Sequence, residues 1–396
     1  MWFKFFLIEP KTPVESILTG LLFGILLILI FWTYFAILRN RKKEFKDYKH
    51  VIMFIITISI IFGIMLPFTT SDIFYYMGTA ELDYKYNQNP FYTSVSDITQ
   101  TVQNDEILNN TGIWSTQTVV YGPLYSFICK GLAMISFSNV TLCLYAFKAA
   151  AIAVHILICL LIYKITKRKL FVLLYGLNPF ILFEMIANVH NDIYMIFFIV
   201  LAIYLLVNKK SILLSLVALA GATCIKYVAV LAAPFLVLYY LRKQKISKKL
   251  IYSALYSIWF MVFVLGFYLI YAKDTSIFTN VLMQQDKYRE SLSMILLEVF
   301  SKFKLDNFDV VRAVFQVVFG AVYIQIIIKL ILRKSTNFRN IIREYSNILA
   351  LFLLIVITNL CPWYTSWIFR NNILAKGESD KNIPVYTAKL SIVYSG

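Results

Sequence analysis

The sequence is poor in charged residues and above all in acids. Charged residues make up 15% of its 396 positions, and 21 Asp and Glu stand against 38 Lys and Arg. Hydrophobic residues make up 60%, whereas soluble globular domains contain about 45–50%. Apolar runs of about 20 residues recur, each long enough to cross a bilayer of about 30 Å. These features exclude an ordinary soluble protein and predict an all-α, polytopic transmembrane protein.

Cysteine, glycine and proline are also scarce. The five cysteines have no paired spacing, which argues against a disulfide framework or a metal cluster and favours small apolar packing residues. With 13 glycines and nine prolines, the chain has no linker rich in either residue, and no internal repeat is visible. We therefore predict a single transmembrane domain over residues 1–396.

Basic residues gather in five clusters, and we place all of them in the cytoplasm because an excess of Lys and Arg marks cytoplasmic loops. The clusters lie at residues 39–49, 164–169, 209–210, 242–249 and 333–343. The net charge of +17 is therefore attributed to membrane topology, and nucleic acid is not expected as a partner. A segment between two such clusters must cross the membrane an even number of times.

This rule predicts about ten helices and a large first outer loop over residues 68–139, with a surface helix at 121–137. Segment 170–208 becomes two crossings with an apex near Glu184 to Asp192. Segment 211–241 would be about 46 Å long as one helix, too long for a single span. Since both its ends are basic, we predict a hairpin of two short helices that turns near Lys226.

The remaining spans follow from the same rule. The first apolar run, Glu15 to Leu38, has its charges after it and is read as a retained helix. Segment 250–332 contains two crossings with an outer loop around Lys273 to Lys304, and a tenth helix from about Ser346 to Leu360 leads outward. The final LSIVYSG begins a further apolar span, so we expect the chain to be truncated there.

Four polar stretches that lie far apart in the sequence are then predicted at the outer membrane boundary. They are Asp72, ANVHND at 187–192, Lys226 and PWYTSW at 362–367. Ionisable groups at this depth are costly unless they are paired or hydrated, so together they indicate a site. A carboxylate can accept a proton from a hydroxyl, an ammonium can bind phosphate, and aromatic rings suit sugars.

Each stretch also has a purely structural interpretation. Asp72 follows Thr70 and Ser71 and can simply favour a helix start, although Asp72, Tyr75, Tyr76, Thr79 and Asp83 have the spacing of one polar helix face. His190 and Asp192 can be ordinary loop residues, Lys226 can snorkel, and PWYTSW can be an aromatic belt. We interpret His155 and Glu184 as packing or rim residues and Lys148 as a snorkelling one.

The ordered series of motifs resembles the polytopic GT-C glycosyltransferases, especially the bacterial polyprenyl-phosphate-mannose-dependent α-mannosyltransferases. The matching segments, over roughly residues 50–370, are SDIFYYMGTAELDYKYNQNPFY, VVYGPLYSFI, LYGLNPFILFEMIANVHND, CIKYVAVLAAPFLVLY and CPWYTSW. Two features depart from the family pattern. One helix precedes the span that leads into the acidic loop, and the C-terminal helices are absent or cut.

The resemblance implies that Asp72 is the catalytic base, that the loop 68–139 carries the active site and that Lys226 lies near the donor phosphate. Other side chains of the matched segments are expected to contact substrate: Tyr75, Tyr76, Asn89, Tyr92, Tyr121, His190, Asn191, Asp192, Trp363 and Tyr364. Asp72 would take the acceptor's proton in a single, inverting displacement. No cofactor and no obligatory metal are expected, and no glycine-rich phosphate loop is present.

The resemblance therefore predicts transfer of mannose or another hexose from a polyprenyl-phosphate donor to a glycan or glycolipid of the cell envelope. The protein would lie in the plasma membrane with its active site on the extracytoplasmic face. A transporter or lipid flippase is the alternative, but such proteins favour sites near the membrane midplane between repeats. A non-catalytic scaffold would explain the helices and leave the four polar stretches without a role.

Overall fold

The computed structural model describes residues 12–45, 47–102, 104–278, 291–302, 308–333 and 336–377, and over these ranges it contains helices and no strand. The all-α prediction is confirmed. The predicted outer loop from Lys273 to Lys304 lies in part outside the described residues, and so does the whole of LSIVYSG.

Four helices are long and apolar enough to cross a membrane, and a bent pair brings the number to five. The long ones are α1 (Pro13–Glu44), α7 (Val140–Thr166), α13 (Ile246–Tyr268) and α15 (Phe308–Leu332). The bent pair joins α8 (Lys169–Gly176) to α9 (Pro179–Ile181) and a π-helical stretch, Leu182–Ala187, at an angle of 48°. Five shorter apolar helices accompany them, and the predicted number of about ten crossings stays a prediction.

The apolar surface of these helices explains why they suit a bilayer. Only 6% of the most apolar window of α1, and likewise of α15, is buried inside the protein, so their Leu, Ile and Val side chains face outward. In α7, 44% of that window is buried. Because lipid rather than protein can cover the outward apolar side chains, α1 and α15 fit the rim of a membrane protein and α7 fits its interior.

The chain divides into two compact units. The first comprises Met1–Gln117, Ile128–Tyr163 and Lys167–Ile193, and the second comprises Thr118–Phe127, Lys164–Thr166 and Tyr194–Gly396. In the first unit, α2 (Tyr48–Ile64) packs on α8 and on the π-helical stretch.

The predicted outer segment of the first unit is built from short helices. They are α3 (Asp72–Lys85), α4 (Val95–Thr99), α5 (Glu106–Asn109) and, continuing past the boundary of the unit, α6 (Pro123–Ser136), which confirms a helix within 121–137. Both lysines of this segment form ion pairs. Lys85 Nζ lies 2.6 Å from Asp105 Oδ2 and 3.5 Å from Glu81 Oε1, and Lys130 Nζ lies 2.7 Å from Asp83 Oδ1. These three acids therefore have structural partners.

In the second unit, the predicted hairpin is present. Helix α11 (Ile212–Thr223) ends at a turn, and a 3₁₀ stretch, Tyr227–Ala232, leads into α12 (Ala233–Tyr240). Helix α10 (Asp192–Val207) precedes it, and α14 (Leu292–Ser301) precedes α15. The predicted tenth helix begins earlier than expected: α16 (Phe338–Leu351) continues as a second π-helical stretch, Phe352–Val356. The chain then forms a 3₁₀ turn, Pro362–Tyr364, and α17 (Thr365–Gly377).

Candidate functional site

Three ionisable side chains of the first unit meet at His190. Its ring nitrogen Nδ1 lies 3.5 Å from Oδ2 of Asp72, and its Nε2 lies 3.1 Å from Oε2 of Glu184. The His190 side chain is 1% exposed, whereas Asp72 is 16% and Glu184 12% exposed. The imidazole is therefore enclosed between two carboxylates, and both carboxylate side chains are partly exposed to solvent.

Local backbone structure brings these groups together. Asp72 is the first residue of α3, and its backbone N–H donates to Oγ1 of Thr70 at 3.1 Å. Glu184 lies in the π-helical stretch, and its carbonyl accepts the backbone N–H of His190 at 3.1 Å. Val189 between them has a φ of 58°, in the left-handed region, which is costly for a β-branched residue. A strained backbone beside a π-helical stretch is typical of functional sites.

The two carboxylates keep His190 protonated. Burial alone would lower the pKa of this imidazole, but the hydrogen bonds and negative charges of Asp72 and Glu184 outweigh it and raise the pKa to about 9. At neutral pH the cluster therefore contains an imidazolium rather than a neutral imidazole. Because a protonated ring has no free lone pair, His190 cannot itself accept a proton there, and the carboxylates are the available bases.

Two asparagines, Asn188 and Asn191, lie in the same segment as His190. Asn188 donates through Nδ2 to Oγ1 of Thr69 and, at 3.2 Å, to Oε2 of Glu184, while its Oδ1 accepts the backbone N–H of Phe68 at 3.2 Å. Asn191 is 1% exposed, and neither atom of its amide has a hydrogen-bond partner among the described residues. An unsatisfied buried amide costs about 1–3 kcal/mol, so Asn191 suits a polar ligand that supplies both partners.

A second cluster lies in the second unit, at the turn of the hairpin. Nζ of Lys226 lies 4.7 Å from the centre of the Tyr364 ring and 5.4 Å from that of Trp367. The two rings are 4.5 Å apart. This geometry is a cation–π contact between an ammonium and two aromatic faces. Lys226 and the PWYTSW segment, predicted to lie at one level, therefore meet directly.

The segment around Tyr121 is hydrogen-bonded to the same turn. The backbone N–H of Gly122 donates to the carbonyl of Ile225, and that of Leu124 to the carbonyl of Cys224, both at 3.0 Å. A side chain at Gly122 would overlap the Cys224 backbone, so this approach requires glycine. Tyr121 packs edge-on against Tyr125 at 5.8 Å. Gly122 thus places Tyr121 next to the backbone segment, Cys224 to Ile225, that leads to Lys226.

For the other predicted site residues, the structure shows burial and local hydrogen bonds. Tyr75 and Tyr76 are buried in α3, where the Tyr75 hydroxyl donates to the carbonyl of Gln117 at 3.3 Å. Asn89 builds a turn by accepting the N–H of Phe91 at 3.1 Å, and its carbonyl accepts that of Tyr92 at 3.0 Å. Asp192 is fully buried as the first residue of α10. Roles in substrate binding for these residues stay predictions.

Sequence reasoning missed three contributors. Glu184, interpreted as a rim residue, is a partner of His190, and Lys148, interpreted as snorkelling, is 1% exposed and bonded to backbone carbonyls at both Met65 and Ala187. Trp367 belongs to the predicted PWYTSW stretch, but only Trp363 and Tyr364 of that stretch are expected to contact substrate. It is Trp367 that lies under Lys226, while Trp363 packs edge-on against Tyr364 at 5.9 Å. The placement of Asp72 and Lys226 at one boundary stays a prediction.

In the part of the chain that the structure describes, no group of three or more His, Cys, Asp or Glu residues is arranged to hold a metal ion.

The apolar helices describe a polytopic membrane protein. Each of its two units carries one polar cluster, the carboxylate–imidazolium cluster in the first and the lysine over aromatic rings in the second. A family model described as "Alpha-(1->6)-mannopyranosyltransferase, N-terminal domain" matches residues 3–242, more than half of the chain. The chain belongs to this family and is a glycosyltransferase, as its resemblance to membrane mannosyltransferases predicts. The match includes Asp72, His190 and Lys226 and ends before Trp363. No curated protein and no solved structure matches the chain.

Proposed function

We propose that the protein transfers a mannosyl residue, or another hexose, from a polyprenyl-phosphate donor to a hydroxyl of a cell-envelope glycan or glycolipid on the extracytoplasmic face. The observation that carries the proposal is the Asp72 carboxylate held 3.5 Å from a buried His190 in a chain of a mannosyltransferase family. The distribution of Lys and Arg, which marks the opposite loops as cytoplasmic, supports the choice of face.

Asp72 is the proposed general base. Its side chain is 16% exposed, so a hydroxyl can approach it from solvent, and it stands at the first residue of α3. His190 holds the carboxylate in place and cannot compete for the proton because it is already protonated. Glu184 supplies the second negative charge, which keeps the imidazolium paired on both sides.

The reaction is a single displacement. The acceptor O–H gives its proton to Asp72 while its oxygen forms a bond to the anomeric carbon of the sugar. The bond between that carbon and the phosphate oxygen breaks, and the electron pair leaves with the polyprenyl phosphate. One displacement inverts the anomeric centre. Lys226 is the proposed partner of the leaving phosphate, since a fixed positive charge stabilises the charge that develops there.

Polar and aromatic groups are available for the sugar. The unsatisfied amide of Asn191 can both donate to and accept from ring hydroxyls. The Tyr364 and Trp367 rings offer the flat apolar faces on which sugars pack. The lipid tail of the donor would be accommodated by the bilayer around the apolar helices.

A transfer assay tests the proposal. Purified protein is incubated with labelled polyprenyl-phosphate mannose and crude envelope acceptors, and the anomeric configuration of the product is read by NMR. The wild type is expected to transfer the label with inversion, and Asp72→Asn to lose about 10²–10⁴-fold in rate at an unchanged unfolding temperature.

Asp97→Asn is the matched control. Asp97 is another acid in the first turn of an outer helix, where it closes a capping box with Ser94, so its loss should affect stability and leave transfer intact. Full activity of Asp72→Asn would remove Asp72 as the base. Movement of lipid across liposomes without any glycosyl transfer by the wild type would favour the transporter.

A further inference from the structure

Lys148 is a buried lysine in the interior-facing helix α7 that the proposed reaction does not use. Its side chain is 1% exposed, and Nζ donates at 2.7 Å to the carbonyl of Met65 and at 2.7 Å to the carbonyl of Ala187. A buried ammonium is costly unless it is well bonded. Its position therefore calls for a reason beyond packing.

Both carbonyls belong to helix ends. Met65 is the C-cap residue of α2, and Ala187 is the last residue of the π-helical stretch that carries Glu184. The last carbonyls of a helix lack partners within the helix and carry partial negative charge. One ammonium therefore satisfies and neutralises two helix ends at once and fixes their separation.

The two helix ends lead directly to the carboxylate–imidazolium cluster. Asp72 follows Met65 after six intervening residues, and His190 follows Ala187 after two. Asn188 joins the same two segments through Phe68 and Thr69. Lys148 and Asn188 therefore each connect the segment that leads to Asp72 with the segment that leads to His190.

We propose that Lys148 is a positioning residue: its two carbonyl bonds set the distance between the Asp72 carboxylate and the His190 ring. The proposal rests on the proposed function only for its catalytic consequence. The structural consequence, the contact between Asp72 and His190, can be measured without substrate.

The chain offers a matched control. Lys249 is also buried, at 2% exposure, and Nζ donates at 2.8 Å to the carbonyls of both Ile331 and Arg333. Both of its hydrogen bonds go to a single helix end, that of α15 in the second unit, and neither goes to a segment that carries Asp72 or His190. Lys148→Met and Lys249→Met therefore remove the same chemistry from two different places.

Histidine NMR provides the first measurement, because the sequence contains only three histidines and His190→Gln assigns the relevant signal. In the wild type and in Lys249→Met, His190 should stay protonated to about pH 9. In Lys148→Met its titration should move towards the ordinary histidine value of about 6.5, because the carboxylates are no longer held against the ring. An unchanged titration overturns the proposal, whatever reaction the protein catalyses.

Transfer kinetics provide the second measurement. Lys148→Met is expected to lower kcat by about tenfold to a hundredfold with the KM for the lipid donor within about twofold, whereas Lys249→Met should leave both unchanged per folded molecule. If Lys148→Met does not fold, Lys148→Gln replaces it, since its shorter amide keeps a hydrogen-bond donor but carries no positive charge. A kcat equal to that of Lys249→Met overturns the proposal. Absence of transfer by the wild type would overturn the proposed function and leave the NMR result to decide the role of Lys148.

Discussion

Oδ2 of Asp72 lies 3.5 Å from Nδ1 of His190, and the other ring nitrogen, Nε2, lies 3.1 Å from Oε2 of Glu184. An imidazolium between two carboxylates leaves the cluster with one net negative charge. The arrangement differs from a serine-hydrolase triad, in which a neutral histidine takes the proton. Here the two carboxylates raise the pKa of the histidine to about 9 and favour its charged form, so the proposed base is a carboxylate, and of the two carboxylates Asp72 is the more exposed.

The first prediction concerns pH. His190 has a folded-state pKa of about 9, above the ordinary value of about 6.5 in an unfolded chain. Its contribution to stability is therefore fully present below about pH 6.5 and is lost as the pH rises through about 9, at most roughly 3 kcal/mol. Thermal unfolding of the detergent-solubilised protein between about pH 6 and pH 10 should show this loss. His190→Gln, in which the loss should be absent, separates it from the titration of lysines, and equal slopes for both proteins would contradict the assignment.

The second prediction separates a structural acid from the proposed catalytic one. Asp105 accepts from Lys85 at 2.6 Å, from the Tyr86 hydroxyl at 2.8 Å and from the Leu108 N–H at 3.0 Å. Asp105→Asn should cost roughly 1–3 kcal/mol of unfolding free energy because these donors lose a charged acceptor. Transfer per folded molecule should stay within about twofold. A stable but inactive Asp105→Asn would show that Asp105 is needed for transfer and would contradict its assignment as a structural acid.

The third prediction concerns Lys226. Replacement by Met keeps an unbranched side chain of similar length and removes the charge that lies over the Tyr364 and Trp367 rings, so kcat/KM for the lipid donor should fall by about 10²–10³-fold. Lys226→Arg should retain part of the activity, because a guanidinium also binds phosphate and stacks on rings. Lys245→Met, in the exposed basic cluster at 242–249, is the charge-matched control. Equal rates for Lys226→Met and Lys245→Met would remove Lys226 from the phosphate site.

Much of the helical plan follows from the sequence because length and charge constrain it. The segment 211–241 has basic ends and too many residues for one span, and these two facts suffice to predict the turn at Lys226. The polar face of α3 likewise follows from helical spacing. Its members turn inward, however: Thr79 bonds back to the carbonyl of Tyr75 at 3.0 Å, and Asp83 pairs with Lys130.

The details of the site could not be predicted, for physical reasons. Glu184 and His190 are six residues apart, a spacing at which side chains of a regular α-helix do not meet. A π-helical stretch and the left-handed Val189 bring them together, and neither has a signal in a single sequence. The contacts of Lys148 depend on the two helix ends that it reaches, which helical periodicity does not specify.

The last prediction concerns the backbone approach at Gly122. An added methyl group there would lie 2.8 Å from the Cα of Cys224 and closer still to its carbonyl group, and backbone cannot move aside as a flexible side chain can. Gly122→Ala must therefore displace the two hydrogen bonds to Cys224 and Ile225, which immediately precede Lys226. We expect a loss of about 1–3 kcal/mol in unfolding free energy together with a clear reduction in transfer.

Gly131→Ala provides the matched control, because an added methyl group at Gly131 in α6 would have no atom within 4 Å. Since alanine is the better helix former, Gly131→Ala should leave stability unchanged or raise it by up to about 1 kcal/mol, with transfer intact. Thermal unfolding and the transfer assay on both variants distinguish the two positions. If Gly122→Ala were as stable and as active as Gly131→Ala, the segment around Tyr121 would not hold the turn at Lys226. Other contacts would then have to position the Lys226 ammonium.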